Sequence, residues 1–273
     1  MMANVNRAGM TEDHAFRFGG IARLYGESAL RGFLRSHVIV VGIGGVGSWA
    51  AEALARSGIG ELTLIDLDDV CISNINRQVH ALQTSVGQMK IDVMAERLKQ
   101  INPAILVHVQ HAFLGPKNIA DLLPINASYV FDATDSVKAK TEMAVFCKRN
   151  KLPLICCGGA GGQTDPTQIQ VADMARTTQD PLLAKVRNNL RRHHNYSRNQ
   201  KRKFGIDCIF STEQLKYAQA DGSVCASKPE GGGPAKLDCA SGFGAVTAVT
   251  SVFAMVSVAR ILEKLAKTNS SGA

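Results

Sequence analysis

The chain has 273 residues, 45% of them hydrophobic and 20% charged, which is enough to bury a sizeable core and ordinary for one large globular α/β domain. Aromatic residues make up only 5%, excluding an aromatic-rich base-stacking surface, while a formal net charge of +8 favours polyanionic partners. The 7 cysteines, odd in number, scattered and without a C-x-x-C pair, exclude a secreted disulfide framework and the usual spacing of a structural zinc site.

The opening MMANVNRAGMTEDHAF has no basic stretch followed by an apolar run, so no signal peptide is expected and a reducing, cytoplasmic setting is. Residues 38–41 form a short continuous apolar run, as in a parallel strand covered on both faces. Glycines follow, then Trp49, Ala50, Ala53 and Leu54 recur at helical spacing until Gly58 and Gly60. Residues 62–65 read as a second buried strand ending at Asp66. This βαβ unit implies a right-handed crossover and a parallel sheet. The alternation continues with a helix over 86–101 stopped by Asn102-Pro103, strands over 105–109 and 128–131, a helix over 137–149 and a strand over 154–157. A Gly-rich crossing, GGAGGQTDP, leads to a strand over 168–171.

Segment 185–203 is dense in Lys and Arg, contains no acid and is expected to be an exposed, mobile insertion. Short strand-like pieces (IDCIFS, SVCAS) and a Gly-rich stretch at 228–236 then lead to a C-terminal helix. Segment 240–259 is uncharged and close to the roughly 20 residues a bilayer needs. Its small residues, with Ser241, Thr247, Thr250, Ser251 and Ser257, favour a buried core helix over a membrane span. The fold class expected is α/β, a Rossmann-like doubly wound, mostly parallel sheet with an appended C-terminal lobe.

Gly42, Gly44, Gly45 and Gly47 stand between a strand and a helix, where glycine lets backbone approach phosphate and the helix N-terminus supplies N–H groups. Asp66 follows at the spacing from which a carboxylate accepts hydrogen bonds from ribose hydroxyls. A nicotinamide dehydrogenase fits equally well to this point. The next run decides otherwise: Asp66, Asp68, Ser73, Asn74, Asn76, Arg77 and Gln78, then Lys90 opening a helix. Arg77 and Lys90 put two cations beside a phosphate loop, which nucleotidyl transfer needs and hydride transfer does not.

These elements, together with Asp132-Ala-Thr-Asp135-Ser, resemble the ubiquitin-activating-enzyme family, which includes MoeB and ThiF. The resemblance implies an ATP-dependent, homodimeric adenylating enzyme in which Asp135 helps hold the Mg2+ that accompanies ATP and Asp132 is its neighbour at the strand end. It further implies phosphate contacts from Asn74, Arg77 and Lys90 and a ribose contact from Asp66, with Asp68 and Gln78 completing the nucleotide set. Arg77, Lys90 and Asp135 are the expected catalytic residues. An N-terminal arginine, Arg17 or Arg23, would reach the partner subunit's ATP. Two departures are visible, Ser136 where the family has Asn and Lys140 where it has Arg.

RFGGIARLYGE, VGIGGVGSWAAEALARSGIG, GGAGGQTDPTQIQVAD and LDCASGFGAVT are similar to one branch of that family, the tRNA threonylcarbamoyladenosine dehydratases. This implies ATP-dependent cyclisation of a modified adenosine beside the anticodon through a carboxyl-adenylate. The implied organisation is an N-terminal helical arm (1–36), an ATP-binding domain (37–180) and a remainder (181–273) completing the same domain. Partners implied are tRNA, for which 185–203 is a candidate contact, and a sulfur-transfer protein, but not DNA. The alternatives are an adenylyltransferase acting on the C-terminal glycine of a sulfur-carrier protein, and a non-catalytic nucleotide-binding sulfur-relay partner. Cys239 could carry a persulfide or thioester, but it, Cys208 and the Cys156-Cys157 pair read more simply as buried thiols. His193 and His194 read as contact surface rather than a metal site.

Overall fold

The computed structural model describes residues 10–199, 201–219, 221–227 and 243–270; Cys239 and the Gly-rich stretch 228–236 lie outside them. Three short helices, α1 (Glu12–Arg17), α2 (Gly19–Tyr25) and α3 (Glu27–Arg35), precede the first strand. The main body then runs β1 (His37–Val41), α4 (Gly47–Arg56), β2 (Glu61–Asp66), α5 (Lys90–Ile101), β3 (Leu106–His111), α6 (Ile119–Leu122), β4 (Tyr129–Asp132), α7 (Val137–Arg149) and β5 (Leu154–Cys157). It continues with β6 (Ile169–Asp173), α8 (Pro181–His193), β7 (Asp207–Ser211), β8 (Tyr217–Ala218), β9 (Val224–Cys225) and α9 (Thr247–Ser270).

Seven strands form one sheet in the order β3-β2-β1-β4-β5-β7-β6. All neighbours are parallel except β6, which runs antiparallel to β7. Strand alternation divides the apolar residues between two cores. Val38 and Val40 of β1 face α3, α4, α5 and α9, whereas Ile39 and Val41 face α6, α7 and α8. Burial on both faces is why the strands read as continuous apolar runs rather than alternating ones.

Two expectations need correction. The helix expected over 86–101 starts at Lys90, because Gly87 has φ +84° and Met89 is extended. The segment 185–203 is not simply an exposed mobile insertion, since its first half belongs to α8. Asp180 caps that helix by accepting from the Leu183 N–H at 2.8 Å, and Pro181 opens it, a strong start signal. Leu183, Val186 and Leu190 are buried against α7. Beyond it, Tyr196 is buried and donates its hydroxyl to the Ala144 carbonyl at 3.0 Å. Most of the cations of the segment remain exposed.

Strand β7, from the last third of the chain, enters the main sheet between β5 and β6, while β8 and β9 pair separately. Helix α9 buries Val249, Phe253, Ala254 and Ile261 and packs on α3 and α4. Its described part is a core helix, and among the described residues no helix is long and apolar enough to cross a membrane.

Candidate nucleotide-binding cleft

Strand β1 lies between β2 and β4, so the chain leaves neighbouring strands in opposite directions and opens a crevice at their C-terminal ends. A cleft of about 660 Å³ occupies that place, and the glycine loop forms its floor. Gly42 (φ +86°) brings its backbone against the end of β4, where a Cβ would lie 3.0 Å from the Ala133 carbonyl oxygen. At Gly47 a Cβ would fall 1.8 Å from the Gly42 carbonyl oxygen, so only glycine lets α4 start against this loop. Gly44 differs. Its nearest neighbour would be Gln78 Nε2 at 4.0 Å, so open cleft lies above it. No side chain caps α4, so apart from the Ser48 N–H, which the Gly44 carbonyl accepts at 3.1 Å, its first turn is open to an anion. This is a cradle of the size and polarity that phosphate needs.

The β2 end supplies the next wall. Asp66 accepts the Ile43 N–H at 2.6 Å and the Asp68 N–H at 2.9 Å, locking the glycine loop to the strand. Lys90, with only 8% of its side chain exposed, reaches Asp68 at 2.8 Å. Asn74 is buried and accepts the Cys71 N–H at 3.1 Å. Arg77 donates to the Ser73 carbonyl at 2.7 Å and to Asn76 Oδ1 at 3.1 Å. Helices α9 and α4 support this segment from behind: Thr247 of α9 donates to the Asn76 carbonyl at 2.6 Å, and Trp49 of α4 donates to the Arg77 carbonyl at 3.1 Å. Gln78 is buried with Oε1 unpartnered.

The opposite wall is the β4–α7 turn. Asp135 is exposed and lines the cleft. Ser136, in place of the expected Asn, caps α7 by accepting the Ala139 N–H at 3.3 Å. Among the described residues no three His, Cys, Asp or Glu groups gather as a metal site. A single cleft-facing carboxylate still fits Mg2+, which keeps several waters and takes its other ligands from substrate phosphates.

The structure therefore brings Gly42, Gly44, Gly45, Asp66, Asp68, Asn74, Arg77, Gln78, Lys90 and Asp135 to one cleft, with Gly47 beneath the loop. It does not bring Asp132 there: that residue is fully buried below the cleft, paired with Lys140 at 3.0 Å. Arg17 and Arg23 lie on the arm, away from the cleft of their own chain, and Arg17 is engaged by Asp13 at 3.2 Å.

Sequence reasoning missed the Gly158–Gly161 stretch as a cleft wall. It also missed Asp180, which accepts the Gly159 N–H at 2.9 Å. The run of small residues GGAGG was the available signal. At Cys147, Cys156 and Cys157 the thiolate is disfavoured. Burial pushes Cys147 and Cys157 up to about 12. Cys156 is raised by its hydrogen bond with Cys208 and by burial.

A model of the ThiF family matches residues 20–272. The tRNA threonylcarbamoyladenosine dehydratase of Escherichia coli K12 is 57% identical over 249 residues, 91% of this chain and 93% of that one. A crystal structure of the E. coli enzyme, TcdA, in complex with ATP superposes with a TM-score of 0.84 at 49% identity, covering 96% of this chain and 99% of that one. Another, in complex with AMP, gives 0.85 at 50% identity, covering 96% and 98%.

Proposed function

The chain belongs to the ThiF family, and from that membership and its cleft we propose that it uses ATP to cyclise threonylcarbamoyladenosine in tRNA through a carboxyl-adenylate. The carrying observation is the switch-point cleft, which sets an open glycine cradle, an uncapped helix N-terminus, Arg77 and Lys90 against the carboxylate of Asp135. The substrate carboxylate attacks the α-phosphorus, the bond to the bridging oxygen breaks and pyrophosphate leaves. A nitrogen or oxygen of the same side chain then attacks the acyl carbon, its proton passes to solvent and AMP leaves. Because that nucleophile is tethered, the second step needs little beyond positioning.

In this reading Asp66 holds the ribose, and Asn74 and Gln78 line the phosphate path. Lys90, preset by Asp68, and Arg77 neutralise charge as pyrophosphate departs. Mg2+ entering with ATP would be held by Asp135 and would offset phosphate charge. Arg17 and Arg23 belong to an arm that also exposes Phe16 (93%) and Leu24 (75%). Such a pair is best explained by a second copy of the chain, which makes the enzyme a homodimer. A tRNA substrate supports a cytoplasmic setting.

The tRNA contact follows from the helices. Both α7 and α8 start at the cleft end of the sheet and run 13 residues away from it, about 20 Å. Their far ends carry Lys148, Arg149, Lys151 and Arg192, joined by Arg198, Lys201, Arg202 and Lys203, all exposed. Lys148 lies 4.0 Å from the centre of the buried Tyr196 ring. The modified base enters the cleft while the duplex stem lies back along α7 and α8, its phosphates on this basic end.

The test is pyrophosphate release from ATP with tRNA that carries the threonylcarbamoyl group, set against unmodified tRNA and small carrier proteins. Release is expected only with the modified tRNA. Release driven by a carrier protein instead would overturn the reading.

A further inference from the structure

Lys140 and Asp132 are both fully buried, with Nζ 3.0 Å from Oδ1. Burial alone would lower the lysine, but the Asp132 carboxylate more than compensates and holds it protonated. Stability does not account for this pair. A buried ion pair is commonly no more stabilising than apolar side chains of the same volume, and Asp132 Oδ2 has no hydrogen-bond partner at all, an added cost.

Its position is more informative. Asp132 Oδ1 accepts both the backbone N–H of Thr134 at 3.0 Å and its hydroxyl at 2.8 Å, fixing the wall that presents Asp135. On the other side, Asp180 is buried and holds the facing wall through the Gly159 N–H. A Cβ at Gly158 would sit 1.8 Å from Asp180 Oδ2, so the contact is close. Burial raises the Asp180 carboxyl, with the Leu183 and Gly159 N–H bonds opposing it, whereas the direct partner of Lys140 is Asp132.

We propose that Lys140 is a positioning residue for ATP: a buried cation that fixes the Asp132 carboxylate, which in turn holds the Thr134 turn and the cleft wall that presents Asp135. Without the pair, the turn that presents Asp135 would lose the charged anchor beneath it, in surroundings that solvent ions do not screen. This rests on ATP binding in the cleft, as proposed above.

The experiment measures the ATP dissociation constant by calorimetry, with pyrophosphate release and thermal unfolding alongside. The variants are Lys140→Met/Asp132→Asn, Lys140→Arg and Lys140→Gln/Asp132→Asn. The first double variant leaves no lone charge on the Asp132 side and is expected to unfold within a few degrees of the parent. Its ATP dissociation constant should rise about tenfold or more while the Michaelis constant for tRNA stays within twofold. Lys140→Arg, which keeps the charge, should recover most of that loss. A folded double variant with parental ATP affinity would make the pair merely structural and sink the proposal. Should that double variant not fold, Lys140→Gln/Asp132→Asn decides, since it keeps a neutral hydrogen-bonded pair but neither charge; unchanged ATP affinity there would equally overturn it. Parent protein that binds ATP yet releases no pyrophosphate with tRNA would count against the proposed reaction and leave this test intact.

Discussion

Lys90 and Arg77 have their geometry set before any ligand arrives: one is tied to Asp68 and the other to the Ser73 carbonyl and Asn76. Replacing either by Ala is expected to lower pyrophosphate release about a hundredfold, on the order of 3 kcal/mol of barrier. Melting temperature should change little, because Asp68 is half exposed and can be solvated. Near-normal turnover in both variants would refute the assignment. These residues were legible because a short polar run after a strand end has few other uses. Lys140 was visible only as a departure from the family's Arg and its burial was not, since a charged residue on an amphipathic pattern reads as solvated until the packing of α7 on the sheet is known. His80 was also invisible, being buried with both ring nitrogens unpartnered. Burial, with Lys90 and Arg97 nearby, lowers it from 6.5 to about 4. The unfolded chain therefore binds a proton that the folded chain refuses, and stability is complete above pH 6.5 and is lost as pH falls towards 4. This one group should remove up to about 3 kcal/mol across that window. His80→Gln should flatten that part of the unfolding free energy measured against pH; an unchanged slope would exclude the histidine as its source.

At the scale of elements, the glycine loop separates two roles that the sequence motif runs together. Gly47→Ala sets a methyl group against backbone at 1.8 Å, so it should destabilise the fold by about 3 kcal/mol or displace α4. Gly44→Ala meets no atom closer than 4.0 Å. It should melt like the parent yet bind ATP about tenfold more weakly, because the methyl fills the phosphate cradle. Equal melting temperatures for the two variants would show that the loop is looser than this. The main-sheet elements were readable to within a few residues because strands buried on both faces stand out as apolar runs. Helix α8 was obscured because its cations outnumber the three side chains it buries, although Asp180-Pro181 and the spacing of Leu183, Val186 and Leu190 were there to be read. The β7 insertion between β5 and β6 could not be read locally, since strand order is decided by long-range pairing.

For the whole molecule, ATP and tRNA phosphates are assigned to opposite ends of α7 and α8. Neutralising Arg198, Lys201, Arg202 and Lys203 to Gln should raise the Michaelis constant for tRNA and flatten its log–log salt dependence by up to about 0.9 per lost phosphate contact. ATP affinity should hardly move at a separation of about 20 Å, twice the Debye length at 0.1 M salt. An unchanged salt slope would place the RNA on another face. The support that α9 gives the Asn76–Arg77 segment has a consequence for biosynthesis. Every strand of the sheet leaves the ribosome before this helix does, so the nascent chain carries a sheet with one apolar face partly bare and a phosphate-binding segment lacking its backing. A chain truncated before α9 is therefore expected to bind ATP more weakly than the whole chain and to expose apolar surface prone to aggregation; parental ATP affinity in such a truncation would show that the segment needs no backing.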